Sequence, residues 1–230
     1  MSRTLSFRVA VLAALACFCL SLSACIKLPS FTPSKKTINF YTLAYPPPPP
    51  ASTTPLGGVA MIRRLTTFSQ YGTDRLVIQG SIFGTEFSYY QRWAASPASM
   101  IADFLYRDLS GSGLFEAVLN GPGYVRPMYE LSGTLEKIQA NRSRKGWETE
   151  LVVNMLFFPY GRDGESPVAD KLYQKRYRMT APCEDSSAES IVASMSVCME
   201  ALSLELIQDL KDFLIVRNPA PETRRQATGQ

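Results

Sequence analysis

Few side chains in this chain of 230 residues are equipped for covalent chemistry, and cysteine leads them. There are five cysteines and no histidine. Without histidine there is no Ser-His-Asp or Cys-His relay to activate a nucleophile, and the commonest metal ligand is missing. Ser110-Gly111-Ser112-Gly113 is not a Gly-x-Ser-x-Gly elbow, no phosphate-loop pattern occurs, and the carboxylates are scattered. Catalysis is therefore not expected. Cys25 stands apart. It ends Leu22-Ser23-Ala24-Cys25, after an apolar run from Val9 to Leu20 that follows Arg3 and Arg8. A basic start, a short apolar run and small residues are the plan of a secretory signal peptide, which is removed. A membrane span would need about 17 to 25 apolar residues.

With a cysteine directly after the small residues, Leu-Ser-Ala-Cys resembles a bacterial lipobox. That resemblance implies cleavage between Ala24 and Cys25, with diacylglycerol on the Cys25 sulfur and a further acyl chain on its new amino group. Each buried methylene contributes about 0.8 kcal/mol, and stable anchoring takes at least two chains, so such a residue would hold. Cleavage before Cys17 or Cys19 would instead leave an apolar stretch in the mature chain. The plainer alternative is a secreted protein cut near Ala24. Ile26, not Asp, follows the cysteine. By similarity to Gram-negative lipoproteins this permits export to the outer membrane, with the rest of the chain in the periplasm.

In an oxidising compartment the two remaining cysteines, Cys183 and Cys198, are expected to pair. Closing their loop of about 15 residues would contribute roughly 3 kcal/mol; the alternative is two separate buried thiols. Two cysteines without histidine are too few for a structural zinc site. An apolar share of 46% and a charged share of 19% suit a globular domain with a core. The net charge of +4, which includes Arg3 and Arg8, is too small a bias to argue for nucleic acid.

The elements that must carry these residues follow from pattern. Residues 1–24 are the signal peptide and 25–37 a lipidated tether, able to reach about 40 Å when extended. The domain spans 38–216, and 217–230 is a polar, disordered tail. Ile38 to Leu43 is a first strand, followed by a stiff Pro-rich loop over 46–57. Gly58–Leu65, Arg75–Gln79 and Ile82–Tyr90 read as strands. Ser96-Pro97 starts a helix, with serine as N-cap and proline at the first turn. Its stripe is Met100, Ile101, Phe104, Leu105 and Leu109, and Gly111 and Gly113 are candidates to end it. A short strand over Leu114–Leu119 leads to a long antiparallel hairpin, with Tyr129–Ile138 in its first arm and Trp147–Phe157 in its second. The hairpin has a basic tip at Arg142, Arg144 and Lys145. After a turn over Tyr160–Pro167 and a strand over Lys171–Thr180, a long helix runs from Ser187 to Val216. Its buried seam is Ile191, Met195, Cys198, Leu202, Leu206, Leu210 and Phe213.

Three stretches together resemble the ABC-type transport auxiliary lipoproteins, the family that includes the outer-membrane component of the paraquat-inducible (Pqi) system. They are Phe40-Tyr41-Thr42-Leu43; Tyr90-Gln91-Arg92-Trp93-Ala94-Ala95-Ser96-Pro97; and Ser112-Gly113-Leu114-Phe115 with the alternating Tyr129–Ile138 strand. The resemblance implies an α/β domain similar to the TolB amino-terminal domain, a mixed sheet with the two helices packed on it. It also implies partners: an ABC permease and ATPase, and a periplasmic MCE-domain protein, which together move phospholipids or other hydrophobic molecules. The lipoprotein would dock them at the outer membrane without hydrolysing anything, as a ring and hence a homo-oligomer. A reading from another class is a structural or regulatory lipoprotein, such as a peptidoglycan-synthase activator on a TolB-like domain. A third is a lipid chaperone with its own cavity.

Within this frame Tyr90, Arg92 and Trp93 are the candidate partner interface, because Trp, Tyr and Arg are the usual interface anchors. Trp93 has a second reading, as a staple fixing how the chain enters the first helix. Arg142, Arg144 and Lys145, with Arg176 and Arg178, are candidates for an anionic surface or a merely solvated tip. Phe157, Phe158, Tyr160, Tyr173 and Tyr177 would line a lipid cleft or pack as cross-strand pairs.

Overall fold

A computed structural model describes residues 36–123, 125–143, 146–160 and 172–217. The apolar run, Cys25 and its lipobox, nearly all of the tether, Arg144 and Lys145, and the tail from Asn218 lie outside these residues, as does most of the turn expected over Tyr160–Pro167.

The sheet is built around its longest strands. Strand β7 (Tyr129–Ser143) and strand β8 (Gly146–Pro159) form the expected hairpin. Fifteen residues make β7 about 50 Å long. On its far edge, β7 pairs in parallel with three short strands in turn: β2 (Gly57–Ile62), β3 (Thr66–Thr67) and β4 (Arg75–Gln79). Between β3 and β4, a single 3-10 turn at Ser69–Tyr71 tucks the Tyr71 ring into the core at 1% exposure. Because no one strand covers that edge, the sheet forks. One arm continues from β2 to the parallel strand β6 (Phe115–Asn120). The other continues from β4 to the antiparallel strand β5 (Thr85–Trp93) and then to β1 (Asn39–Tyr41). Strand β9 (Tyr173–Pro182) extends the sheet from β8.

Helix α1 (Pro97–Gly111) begins as its sequence implies: the Ser96 hydroxyl accepts from the Ser99 amide at 3.3 Å, with Pro97 in the first turn. Met100, Ile101, Leu105 and Leu109 are buried, and Phe104 is half-buried against Tyr45, their rings stacked 5.1 Å apart. The helix ends at Ser112, and Gly113 follows at φ +72°, a conformation that suits glycine. A Cβ there would come within 2.0 Å of the Ser52 carbonyl oxygen. The close approach exists because Ala51 and Ser52 both donate their amides to the Ser112 carbonyl, at 2.8 and 3.2 Å. The proline tract is thus held along α1, with Tyr45 and Ala51 packed on the core and most of the prolines facing out.

Helix α2 (Ala188–Arg217) is apolar and long enough to pass for a membrane span by composition, but 61% of its most apolar stretch is buried inside the domain. Its seam from Ile191 to Leu210 is buried throughout, and Phe213 packs beside it. The alternation of β8 supplies the opposite surface: Thr149, Leu151, Val153, Met155 and Phe157 are all buried, with Tyr177 and Ala181 from β9. The mixed sheet with a short and a long helix packed on it is the α/β fold that the sequence implies.

One buried carboxylate ties three elements together. Asp108 on α1 is 1% exposed and accepts from the Tyr45 hydroxyl at 2.6 Å, the Ser203 hydroxyl of α2 at 2.6 Å and Arg107 Nε at 2.7 Å. The Arg107 guanidinium also lies over the Tyr45 and Phe104 rings, 4.4 and 4.6 Å from their centroids. Asp108→Ala removes the common acceptor and strands three donors, which costs about 3 kcal/mol. A thermal melt is expected to show the midpoint falling by several degrees, and an unchanged melt would refute the tie.

Candidate functional site

Strand β5 carries the residues singled out as an interface, and an irregularity in it decides which of them reach the surface. Pairing with β4 passes from Arg75↔Arg92 to Val77↔Phe87, so β5 uses up more residues than its neighbour between these points. The surplus segment folds on itself: the Ser88 hydroxyl accepts from the Gln91 amide at 3.1 Å, and Arg92 Nε donates to the Tyr89 carbonyl at 3.2 Å. Simple alternation would put Tyr89 on the same face as Trp93. The bulge breaks that parity. Trp93 is buried at 2% exposure and belongs to the core, whereas Tyr89 is 57% exposed.

The partner-facing set expected from sequence is corrected accordingly. Trp93 cannot meet a partner because the domain already covers it. Tyr90 and Arg92 are half-buried, and Tyr89 joins them. The Tyr89 and Tyr90 rings meet edge to face at 4.9 Å. Arg92 and Arg75 each approach the Tyr89 ring, at 5.7 and 5.8 Å, and Arg92 is held by Asp74 at 3.2 Å. Beside this cluster the sheet edge is only the three residues of β1, where Phe40 is 63% exposed. Aromatic and guanidinium groups beside a short strand are the composition of a protein-binding surface.

Of the other basic candidates, the two on β9 are paired within the domain. Arg176 pairs with Glu136 at 2.6 Å, and Arg178 with Glu150 at 2.7 Å. Lys175 reaches Asp209 and Glu205 of α2, at 2.7 and 2.8 Å, and these partners hold its ammonium well above the usual lysine range. Arg142 is exposed, with its guanidinium 5.9 Å from the Trp147 ring centroid. Among the described residues the aromatic candidates do not share one cleft: Tyr160 lines a concavity of about 410 Å³ with Met128 and Tyr129, whereas Phe157 and Tyr177 are buried. Phe157 stacks on Tyr129 at 5.2 Å and meets Phe213 edge-on at 5.5 Å, while Tyr177 is 1% exposed and donates to Asp209 at 2.7 Å.

The expected Cys183–Cys198 disulfide is not formed; both are free thiols. The fold nevertheless brings the two together, because α2 doubles back over β8 and β9. Hydroxyls lie between the sulfurs. Cys198 Sγ is 3.4 Å from Thr149 Oγ1, which meets Ser194 Oγ at 2.7 Å, and Ser194 also hydrogen-bonds the Ala181 carbonyl at 2.8 Å, two residues before Cys183. Burial pushes the Cys198 thiol up to about 11, and the Cys183 thiol upward as well. Among the described residues no group of three or more His, Cys, Asp or Glu is placed to hold a metal ion.

On the face away from α2, a concavity of about 380 Å³ is floored by a polar chain. Tyr71 donates to Gln139, Gln139 Nε2 donates to Asn141 at 2.6 Å, and Asn141 Nδ2 donates to Glu150 at 3.3 Å. Burial alone would raise the Glu150 carboxyl, but hydrogen bonds from Arg178, Lys137 and Asn141 outweigh it and hold the group below its ordinary 4.5. The arrangement is a satisfied network and contains no group poised to transfer a proton to a substrate.

A carboxylate whose folded value is depressed contributes stability above its unfolded value and loses that contribution as pH falls through the folded one. Chemical denaturation is therefore expected to find Glu150→Gln less stable than the parent at pH 7, with the two converging as pH drops below 4.5. A constant gap across that window would refute the assignment. Maleimide labelling of the native protein at pH 8, read by mass spectrometry, is expected to modify Cys183 first and Cys198 only on unfolding. Equal rates at the two would contradict the burial of Cys198.

Comparison with known proteins places this geometry. The family model for ABC-type transport auxiliary lipoprotein components matches residues 41–206. Among solved structures the chain is similar to XCC0632 from Xanthomonas campestris, with 12% identity and a TM-score of 0.62 over 74% of this chain and 92% of that one. It is also similar to the hypothetical protein CT253 from Chlamydia trachomatis, with 8% identity and a TM-score of 0.51 over 70% of this chain and 99% of that one. At these identities the likeness shows the fold alone. No curated protein matches the chain in sequence. The family match starts at the last residue of β1, takes in every later strand and α1, and ends within α2, so the chain belongs to the ABC-type transport auxiliary lipoprotein component family.

Proposed function

We infer that this protein is a non-enzymatic lipoprotein of the outer membrane, anchored through acyl chains on Cys25 with its domain in the periplasm. In this reading it docks a periplasmic MCE-domain protein whose ABC permease and ATPase move phospholipid or another hydrophobic molecule across the envelope. The observation that carries the reading is the family match over 41–206 downstream of the Leu22–Cys25 lipobox. The cluster of Tyr89, Tyr90 and Arg92 is the surface assigned to the MCE partner. It combines exposed aromatic area with a guanidinium held in place, beside the three-residue strand β1. Assembly into a homo-oligomer would repeat this surface around a ring.

Two measurements test the reading. Radiolabelled palmitate is expected to mark the wild-type protein and not Cys25→Ser, which should leave the membrane fraction. A pull-down from solubilised envelopes should recover the MCE protein with the parent. Tyr89→Ala should reduce that recovery about tenfold, the size of effect expected at an interface anchor, with the melt unchanged because the ring is 57% exposed. Recovery of cell-wall synthases in place of transport components would overturn the proposal in favour of a regulatory role.

A further inference from the structure

The turn joining β4 to β5 presents two large apolar side chains to solvent. Ile82 is 88% exposed and Phe83 98%, side by side in the sequence Gly80-Ser81-Ile82-Phe83-Gly84. The central positions of a β-turn normally go to Gly, Pro, Asn, Asp or Ser. Here they hold two of the largest apolar side chains, and the turn beneath them is firmly tied. Gly84 donates its amide to the Ser81 carbonyl at 3.3 Å, and Gly80 donates to the Gly84 carbonyl at 3.1 Å. Gln79 Nε2 donates to the Ser81 carbonyl at 2.5 Å, and Thr85 donates to Gln79 Oε1 at 3.1 Å. The pair is therefore presented outward by an ordered loop.

Three features of the same end of the sheet indicate what covers it. Strand β4 runs parallel to β7 with Gln79 opposite Asn141, so the apolar turn lies beside the last residues of β7. Ile82 shares the rim of the 380 Å³ concavity with Gln139 and Asn141. The next residue of β7 is the exposed Arg142, on the opposite face of the same sheet end and 5.9 Å from the Trp147 ring centroid. A sheet end that carries an apolar turn together with an arginine and a tryptophan has the make-up of a membrane–water interface contact, where the cation meets headgroups and the indole sits at their level. Finally, β1 runs parallel to β5 with Asn39 opposite Gln91. The sheet is therefore entered from the turn's side, with Thr85 only about 13 Å from Arg92, because the bulge leaves that part of β5 spanning only the four steps from Arg75 to Gln79 of β4. From Cys25 to Asn39 an extended chain reaches about 45 Å, enough for the turn to touch the leaflet that holds the anchor.

We propose that the Ile82–Phe83 turn, with Arg142 and Trp147 beside it, is a second membrane contact that seats the domain on an anionic phospholipid bilayer. The tether argument rests on the Cys25 anchor inferred above, and the test separates the two. Full-length acylated protein is reconstituted into phosphatidylethanolamine–phosphatidylglycerol vesicles, as parent and as Phe83→Trp. Flotation reports the anchor, and quenching by lipids brominated on the acyl chains reports the turn. The added indole of Phe83→Trp is expected to lose about half of its emission, as an inserted interfacial tryptophan would. Arg142→Glu in the same background, or phosphatidylcholine vesicles, should reduce that quenching by about half. Flotation without quenching above the parent's overturns the membrane contact and leaves the anchor standing. Failure to float overturns both. A blue-shifted, unquenched indole together with cross-linking between copies would assign the turn to a second copy of the chain, and that too overturns the proposal.

Discussion

A strand about 50 Å long needs hydrogen-bond partners along both edges, and much of this domain's form follows from how β7 obtains them. Its hairpin partner β8 covers one edge from end to end. The other edge is covered piecewise, by β2, β3 and β4 in chain order. Each piece then takes its own neighbours, so the sheet divides into two arms and leaves several ends free. The β1–β5–β4 arm carries both the aromatic–arginine cluster and the Ile82–Phe83 turn, and it exists because β4 is the last segment needed to complete β7.

The same geometry governs where charge is used. On the face away from α2, Glu136, Glu150 and Glu130 point out of β7 and β8 and are met by Arg176, Arg178, Lys137 and Arg63. On the helix face, Lys175 is the one β9 cation that meets α2, and Asp209 and Glu205 answer it. Basic residues that look available in a list of sequence positions are thus committed to neighbouring strands. Those that stay at the ends, Arg142 at the hairpin and Arg92 beside Tyr89, lean on aromatic rings. A protein of transport auxiliary type needs surfaces of this kind more than it needs a reactive pocket. The carboxylates of Asp108 and Glu150 take their partners from within the fold and join its elements, although Arg107 Nη2 beside Asp108 is buried without a hydrogen-bond partner among the described residues.

Much of the architecture was legible from one-dimensional patterns. The N-cap at Ser96, the stripe of α1, the seven-residue seam of α2, the alternation of β8 and the glycine after α1 are all local signals, and each element stands within a few residues of where the pattern put it. The two-residue strand β3 and the turn that buries Tyr71 were not legible, since neither has a period long enough to register. Nor was the parallel pairing of β7 with β2, β3 and β4, because a strand's sequence does not name its neighbour.

The interface residues divide along the same line. Sequence alone placed tyrosine, arginine and tryptophan together ahead of Ser96, and excluded histidine-dependent chemistry. Tertiary structure decided which of the aromatic residues face water. A surplus of residues in β5 relative to β4 turned Tyr89 outward and left Trp93 in the core. It likewise brought Cys183 beside Cys198 without joining them, with the hydroxyls of Thr149 and Ser194 lying between. The reason is physical: periodicity and capping act over one turn or one pleat and are written in neighbouring residues. Register shifts and the return of a helix across a sheet are settled by packing between segments that are not neighbours in the chain, as Arg75 and Arg92, Thr149 and Ser194, and Tyr41 and Glu189 are.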